Sequence, residues 1–150
     1  FEGVRRRQDL LGRPNGIAVY DDFAHHPTAV DETLRALRSR HPGGRLWAVF
    51  EPRSATACRN IHQREYATAF RAADRVLFAP LGRTNIPDAE RLDVAQVARE
   101  IGEMASAAPT VDDIIRTIVE EARPGDVVVL LSNGAFGGIH ARLLDELGRR

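Results

Sequence analysis

The sequence predicts an α/β fold of three layers, in which a mostly parallel sheet of about five or six strands carries helices on both faces and is preceded by an N-terminal hairpin. Two observations support this prediction. Short apolar runs of strand length, such as residues 46–50 and 127–131, alternate with segments whose apolar residues recur at helical spacing. In addition, the 150 residues are 43% hydrophobic and 28% charged, which is ordinary for one globular domain with a substantial core.

The first fifty residues are predicted to form a hairpin, a helix and a buried strand. Residues 8–23 hold two short strand-like runs around Arg13-Pro14-Asn15-Gly16, whose Asn-Gly pair adopts a positive φ easily. Pro27 can open a helix, and apolar residues at helical spacing extend it over 28–40, where a His-Pro-Gly-Gly sequence stops it. Residues 46–50 are continuously apolar, which is typical of a strand buried on both faces.

The rest of the chain continues the alternation. We expect helices at about residues 56–73, 93–101, 112–122 and 139–147, and strands at 76–79, near 107–111 and at 127–131. Residues 80–91 form a long loop rich in turn-forming residues, and a glycine-rich loop joins the last strand to the last helix. This order of elements predicts a Rossmann-like sheet, in which ligands bind beyond the carboxyl ends of the strands.

Composition excludes several classes of function. The formal net charge is zero, whereas a dedicated nucleic-acid-binding domain carries a basic excess. No apolar run approaches the roughly 20 residues that span a bilayer. The single cysteine, Cys58, excludes a disulfide framework and a multi-cysteine zinc site, and we expect it to be a packing residue. All 21 basic residues are arginine, so neither a lysine Schiff base nor a complete Walker A loop can form from this stretch.

The first predicted strand exit is Asp21-Asp22-Phe23-Ala24-His25-His26-Pro27. Two carboxylates and two imidazoles this close together can bind a metal ion or a ribose, or can transfer a proton. The alternative is a solvated turn with an aspartate cap, and the spacing does not indicate a closed zinc shell. This exit is therefore a candidate site, although the residues by themselves leave both interpretations open.

Two further exits are candidates for anion and peptide binding. In Glu51-Pro52-Arg53-Ser54-Ala55-Thr56, an arginine fork beside a helix N-terminus suits a carboxylate or a phosphate, although Ser54 can equally be a simple N-cap. In Ser132-Asn133-Gly134-Ala135-Phe136-Gly137-Gly138, three glycines allow close approach of a ligand to the backbone, and the alternative is a tight turn. Residues 80–87 are expected to be a surface loop, Trp47 a core residue, and His62 and His140 helix-surface residues.

Together these exits resemble the C-terminal domain of the Mur ligases. The resemblance also includes Phe1-Glu2-Gly3-Val4-Arg5-Arg6-Arg7 before the hairpin and Ile139-His140 after the glycine-rich loop, and it covers nearly the whole chain. Because the chain starts at Phe1 without Met or a secretory signal, we expect it to be a piece of a longer protein. The resemblance implies that residues 1–7 end a central domain or hinge and that residues 8–150 form the C-terminal domain.

The resemblance also implies a substrate. It favours the family member that joins UDP-N-acetylmuramate to the murein tripeptide L-alanyl-γ-D-glutamyl-meso-diaminopimelate in peptidoglycan recycling. The alternative is the member that adds free L-alanine, whose second loop typically reads Gln-Pro-His-Arg-Tyr-Thr-Arg and whose first loop has Tyr where this chain has Phe23. Here Ala55 and Ala57 replace the aromatic residue and the second arginine, which suits a longer acceptor. A non-catalytic Rossmann-like module that binds a nucleotide or a protein is a further alternative.

The family chemistry is ATP-dependent amide-bond formation. ATP phosphorylates the muramyl carboxylate, and the acceptor amine attacks the acyl phosphate while the C-terminal domain covers the nucleotide and excludes water. ATP and Mg²⁺ are bound mainly by the central domain, so the fragment alone is expected to be inactive. The implied partners are UDP-N-acetylmuramate, the tripeptide and the other two domains of the same chain, in the cytoplasm, without nucleic acid or membrane.

Matching motif positions imply roles for individual residues. The nucleotide side would consist of Arg7, Asp22 and His25, with His25 also a possible but secondary general base. The acceptor side would consist of Phe23, Arg53, Ser54, Ser132, Asn133, Gly134 and Phe136. Arg53 would bind a carboxylate of the acceptor peptide. No metal ligand is expected in this part of the chain.

Overall fold

The computed structural model describes residues 7–53, 58–81 and 86–149. The strands are β1 (Asp9–Gly12), β2 (Ala18–Asp22), β3 (Leu46–Phe50), β4 (Arg75–Phe78), β5 (Ala105–Ala107) and β6 (Val127–Leu131). The α-helices are α1 (Pro27–Arg40), α2 (Gln63–Ala69), α3 (Val94–Ile101), α4 (Val111–Glu121) and α5 (Ile139–Gly148). Among the described residues, no helix is both long and apolar enough to cross a membrane.

The six strands form one sheet in the order β1-β2-β6-β3-β4-β5. Only the β1–β2 pair is antiparallel, and the other four pairs are parallel, so the predicted mostly parallel α/β sheet is confirmed. In the register, Leu131 at the end of β6 lies opposite Asp22 of β2 on one side and opposite Phe50 of β3 on the other. Three neighbouring strands therefore end at the same level, and the loops that follow them start side by side.

Helices cover both faces of the sheet because the central strands are apolar on both sides. Phe50 points into a core with α1, α2 and α3, whereas Val49 points into a second core with α4 and α5. Leu34 of α1 and Ile114 of α4 are fully buried members of the two cores. The alternation of side chains along each strand thus builds the three layers.

The hairpin forms around the predicted Asn-Gly turn. Asn15 and Gly16 have φ values of 51° and 79°, which an Asn-Gly pair adopts with little strain. The Gly16 carbonyl then accepts a hydrogen bond of 2.8 Å from the Gly125 N–H and so connects the turn to the start of β6. This local chemistry places the antiparallel β1 at the edge of the sheet.

The helix predicted over 56–73 is too long. The structure has a short 3₁₀ turn at Asn60–His62 and then α2 over Gln63–Ala69, while residues 54–57 lie outside the described residues. The helix ends where Phe70 packs into the core, with its ring centroid 5.6 Å from that of Phe50. Immediately afterwards, the Asp74 N–H donates to the Leu46 carbonyl and aligns β4 with β3.

The strand predicted near 107–111 is displaced toward the N-terminus. β5 spans Ala105–Ala107 and lies at the far edge of the sheet, where its side chains are mostly exposed. Its small residues carry no apolar alternation, so the sequence signal for its position is weak. Thr110 is the N-cap of α4, which leaves no room for the strand to extend to residue 111.

Candidate functional site

The three polar exits predicted from the sequence meet at the carboxyl edge of the sheet. The Ser132 N–H, just after β6, donates to the Asp22 carbonyl at 3.1 Å. On the other side of β6, the Glu51 N–H donates to the Leu131 carbonyl at 2.9 Å. The loop after β6 therefore starts between the loops after β2 and β3, and its first residue is hydrogen-bonded to the end of β2.

Asp22 is the buried polar centre of the first exit. Its Oδ1 accepts a hydrogen bond from the Ala24 N–H at 2.8 Å, and its Oδ2 accepts from the Gln8 N–H at 2.9 Å and the Thr33 hydroxyl at 3.2 Å. Burial raises the pKa of Asp22 above its usual value, although these hydrogen bonds and the Arg7 guanidinium act in the opposite direction. The carboxylate consequently holds the start of β1 and the helix α1 to the end of β2.

A cleft of about 400 Å³ opens beside Asp22. Arg7 and His25, the other two residues predicted for the nucleotide side, line the same cleft, as does Phe23, which was predicted for the acceptor side. The three nucleotide-side candidates are thus brought together. Phe23 lies with them, on the α1 side of the edge.

The His25 ring has a defined orientation in this cleft. Its Nδ1 lies 3.0 Å from the Phe23 carbonyl oxygen, and this hydrogen bond requires a proton on Nδ1. In the neutral imidazole, Nε2 is then the nitrogen with a lone pair. The Tyr66 hydroxyl donates to the His25 carbonyl oxygen and so fixes the backbone beneath the ring. His25 is therefore arranged so that Nε2 can accept a hydrogen bond or a proton.

The second and third exits share a buried hydrogen-bonded cluster. The Ser132 hydroxyl donates to Glu51 Oε1 at 2.7 Å and accepts from the Gly134 N–H at 3.0 Å. Glu51 is 6% exposed and Ser132 is fully buried. Arg53 lies above this cluster, with its Nη1 3.9 Å from Glu51 Oε2 and 45% of its side chain exposed. Three of the predicted acceptor-side residues, Arg53, Ser132 and Gly134, therefore meet around Glu51.

The remaining acceptor-side predictions have different surroundings. Asn133 is exposed on the loop between Ser132 and Gly134, whereas Ser54 lies outside the described residues. Phe136 is fully buried in the core next to α4 and α5, with a φ of 51°. Its side chain consequently packs the glycine-rich loop against this core and does not face solvent. A residue that lines a ligand site, as predicted for Phe136, would have to be accessible.

Sequence reasoning missed three polar contacts of this edge. Thr33 interrupts the apolar face of α1, and Glu51 directly follows an apolar strand. A polar residue at either kind of position is a usable signal for a buried polar partner. His140 was expected on a helix surface but is partly buried, with its Nε2 3.1 Å from Asp21 Oδ1. That pair joins two distant segments, so the sequence carries no local signal for it.

Two other expectations concern packing and metals. Cys58 is buried and its thiol donates to the Pro52 carbonyl at 3.0 Å, and Trp47 is fully buried, as predicted. Within residues 7–53, 58–81 and 86–149, no three His, Cys, Asp or Glu side chains are grouped so that they could hold a metal ion.

Comparison with known proteins identifies the family. The family model described as Mur ligase, glutamate ligase domain, matches residues 6–134. The chain belongs to the Mur ligase family. The predicted resemblance, which was based on the strand-exit motifs, is thereby confirmed.

Several similar proteins are described as murein peptide ligases or as ligases of UDP-N-acetylmuramate and the same tripeptide. The UDP-N-acetylmuramate–L-alanyl-γ-D-glutamyl-meso-2,6-diaminoheptandioate ligase of Escherichia coli K12 is 43% identical over 100% of this chain and 32% of its own length. A murein peptide ligase structure from Psychrobacter arcticus has 39% identity and a TM-score of 0.82, covering 100% of this chain and 31% of that one. A separately solved domain of a similarly described Haemophilus ducreyi ligase has 38% identity and a TM-score of 0.76, covering 94% and 99%.

Relatives described as UDP-N-acetylmuramate–L-alanine ligases are less similar. One from Desulforamulus reducens is 29% identical over 98% of this chain, and one from a Mycobacterium species is 34% identical over 89%. The chain spans about a third of the length of the curated relatives that it matches. It corresponds to the C-terminal domain of a Mur ligase.

Proposed function

We propose that this chain is the acceptor-binding, nucleotide-covering domain of an ATP-dependent ligase that joins UDP-N-acetylmuramate to L-alanyl-γ-D-glutamyl-meso-diaminopimelate. The observation that carries the proposal is the 43% identity over the whole chain to the E. coli ligase of that name, against 29–34% for the L-alanine ligases. The central and N-terminal domains of the parent protein would supply the remaining substrate contacts.

The acceptor side of the proposed site is the cluster around Glu51. Arg53 is half-exposed above a buried polar floor, and a planar guanidinium pairs with a carboxylate through two parallel hydrogen bonds. Asn133 adds an exposed amide that can donate and accept hydrogen bonds. A peptide that carries several carboxylates and amides suits these groups better than a free amino acid does.

The nucleotide side is the cleft beside Asp22. Arg7 offers a cation for a phosphate, and the free lone pair of His25 Nε2 can accept from a hydroxyl. Asp22 Oδ1 already accepts one hydrogen bond and retains capacity for a ribose hydroxyl. ATP supplies the phosphoryl group that activates the muramyl carboxylate, and Mg²⁺ would be held mainly outside this domain. The cleft residues would orient the nucleotide and exclude water when the domains close.

The test uses the full-length ligase that contains this domain. We expect turnover with UDP-N-acetylmuramate, ATP and the tripeptide, and much lower kcat/KM with free L-alanine. In addition, Arg53→Ala should lower kcat/KM for the tripeptide, because it removes a charged hydrogen-bonding partner. The decrease should correspond to a loss of about 2–4 kcal/mol in recognition free energy. Arg116→Ala, which removes an exposed α4 arginine away from this edge, is the matched control.

Two results would contradict the proposal. Preference for free L-alanine over the tripeptide would assign the domain to an L-alanine ligase. An unchanged tripeptide KM in Arg53→Ala would remove Arg53 from the acceptor site.

A further inference from the structure

We infer that Gly134 and Glu51 are positioning residues that hold the Arg53 side chain over the loop after β6 and so fix the direction in which its guanidinium meets a carboxylate of the acceptor. This inference rests on the proposed function for its substrate, but the geometry that carries it concerns this chain alone. Neither residue has to touch the acceptor to act in this way.

The steric part concerns Gly134. A Cβ at position 134 would lie 2.0 Å from Arg53 Cδ and 2.3 Å from Arg53 Nε, far inside contact distance. Gly134 is not among the residues with positive φ, so its backbone conformation does not require glycine. The glycine therefore serves to leave room for the arginine stem, which crosses the loop directly above it.

The electrostatic part concerns Glu51. Its buried carboxylate is fixed by the Ser132 hydroxyl at 2.7 Å, and its other oxygen lies 3.9 Å from Arg53 Nη1. The same hydroxyl accepts from the Gly134 N–H at 3.0 Å. One hydrogen-bonded cluster thus holds both the anion that attracts the guanidinium and the glycine beneath the arginine stem.

The direction of Arg53 matters because its recognition of an anion is geometric. A guanidinium pairs best with a carboxylate when both groups are coplanar, so a rotated or displaced fork loses one of its two hydrogen bonds. Because the obstructing atoms belong to a half-exposed side chain and not to backbone, a methyl group at position 134 displaces Arg53 without unfolding the domain. The expected defect is in acceptor binding and not in stability.

The kinetic test is a double-mutant cycle in the full-length ligase. We expect Gly134→Ala to raise the tripeptide KM about ten- to a hundredfold, the equivalent of one lost charged hydrogen bond, with little change in kcat. In an Arg53→Ala background, Gly134→Ala should have no further effect. Gly43→Ala, where a Cβ meets nothing within 4 Å, is the control and should leave the KM unchanged. An unchanged KM in Gly134→Ala, or the same increase in both backgrounds, would overturn the inference.

A second measurement needs no substrate. In the 150-residue chain, the NMR signal of the Arg53 Nε–H, assigned with Arg53→Lys, should shift in Gly134→Ala and in Glu51→Gln but not in Gly43→Ala. Thermal midpoints within about 4 °C of wild type would show that the variants fold, since a loss of 1 kcal/mol shifts a domain of this size by about that amount. An Arg53 signal that does not move in folded Gly134→Ala refutes the positioning role. If the full-length enzyme shows no turnover of the tripeptide, the proposed function is refuted, but this NMR measurement still tests the positioning role.

Discussion

Two buried aspartates show how neighbouring groups decide the behaviour of one residue type. Burial raises the pKa of Asp22, and its hydrogen bonds do not fully offset this effect. Burial also acts to raise the pKa of Asp126, at the start of β6, but donors from the Arg123 N–H, the Trp47 indole and Arg45 outweigh it, so that pKa is lowered. Asp126 is therefore a structural anchor at the amino edge, whereas Asp22 is a buried carboxyl group with a raised pKa beside the candidate cleft.

The two aspartates affect stability in opposite pH directions. With a lowered folded pKa, Asp126 contributes stability that is present above its ordinary value of 3.8 and is lost as the pH falls through the folded pKa. With a raised folded pKa, Asp22 binds its proton more tightly in the folded state, so its contribution decreases as the pH rises from 3.8 to the folded pKa. We therefore expect Asp126, at the amino edge, to make the fold less stable as the pH falls through its folded pKa.

We predict that Asp126→Asn lowers the free energy of unfolding by about 2–4 kcal/mol at pH 7, because an amide group cannot accept from all the donors that face the carboxylate. The loss should shrink as the pH falls from 3.8 through the lowered folded pKa, because the unfolded chain takes up the proton first and the folded wild-type carboxylate is protonated only below its own pKa. Urea unfolding followed by Trp47 fluorescence measures both effects. Asp88→Asn, whose side chain is 96% exposed, should change stability by less than about 0.5 kcal/mol. A loss at pH 7 that persists unchanged below pH 3.8 would contradict the assignment.

At the scale of elements, the helix α4 depends on a reciprocal cap. The Thr110 hydroxyl accepts from the Asp113 N–H at 3.1 Å and donates to Asp113 Oδ2 at 2.9 Å. We predict that Thr110→Ala lowers the free energy of unfolding by about 1 kcal/mol, whereas Thr110→Ser, which keeps the hydroxyl, retains most of it. Chemical denaturation of the three proteins measures the difference. Equal losses in Ala and Ser variants would show that the methyl group and not the cap is responsible.

The elements that could be predicted well are those with strong local signals. The strands β3 and β6 have the predicted limits because both are uninterrupted apolar runs, and the hairpin forms where Asn15-Gly16 favours it. In contrast, β5 begins before its predicted position, and α2 is shorter than the predicted helix. β5 is a short exposed edge strand without an apolar pattern, and α2 ends where tertiary packing of Phe70 overrides its helical spacing.

The candidate site likewise has features that the sequence predicted and features that it did not. Motif spacing placed Asp22 and Arg53 at strand exits, and the sheet brings those exits to one edge. Burial could not be predicted from spacing: Phe136 lies in a loop by sequence but in the core by packing. Partners such as Glu51 for Ser132 are 81 residues apart, and such a pair depends on the strand order, which local sequence does not encode.

At the scale of the whole molecule, stability and function are supplied by different parts. Two apolar cores on opposite faces of the sheet belong entirely to this chain, as expected for a domain that folds by itself. The candidate cleft, in contrast, lies at one edge of the sheet and is open to solvent. A ligand held there would be enclosed only when another domain closes over it.

We therefore predict that the 150-residue chain binds ATP more weakly than about 100 μM and catalyses no ligation, because it supplies only part of the contacts that a nucleotide needs. Isothermal titration calorimetry of the folded chain with Mg·ATP measures the affinity, and the full-length ligase under the same conditions is the comparison. Low-micromolar binding to the chain alone would favour a self-sufficient nucleotide-binding module instead.

The glycine beneath the Arg53 stem has a consequence for engineering. A chimera that receives the segment after β3 from this protein must also receive the segment after β6, because any side chain at position 134 of the host would collide with the incoming arginine. Likewise, the buried serine has to accompany the glutamate that it bonds. Acceptor preference would then be transplanted as a two-loop cassette, and single-loop grafts onto this scaffold should lose affinity without gaining a new substrate.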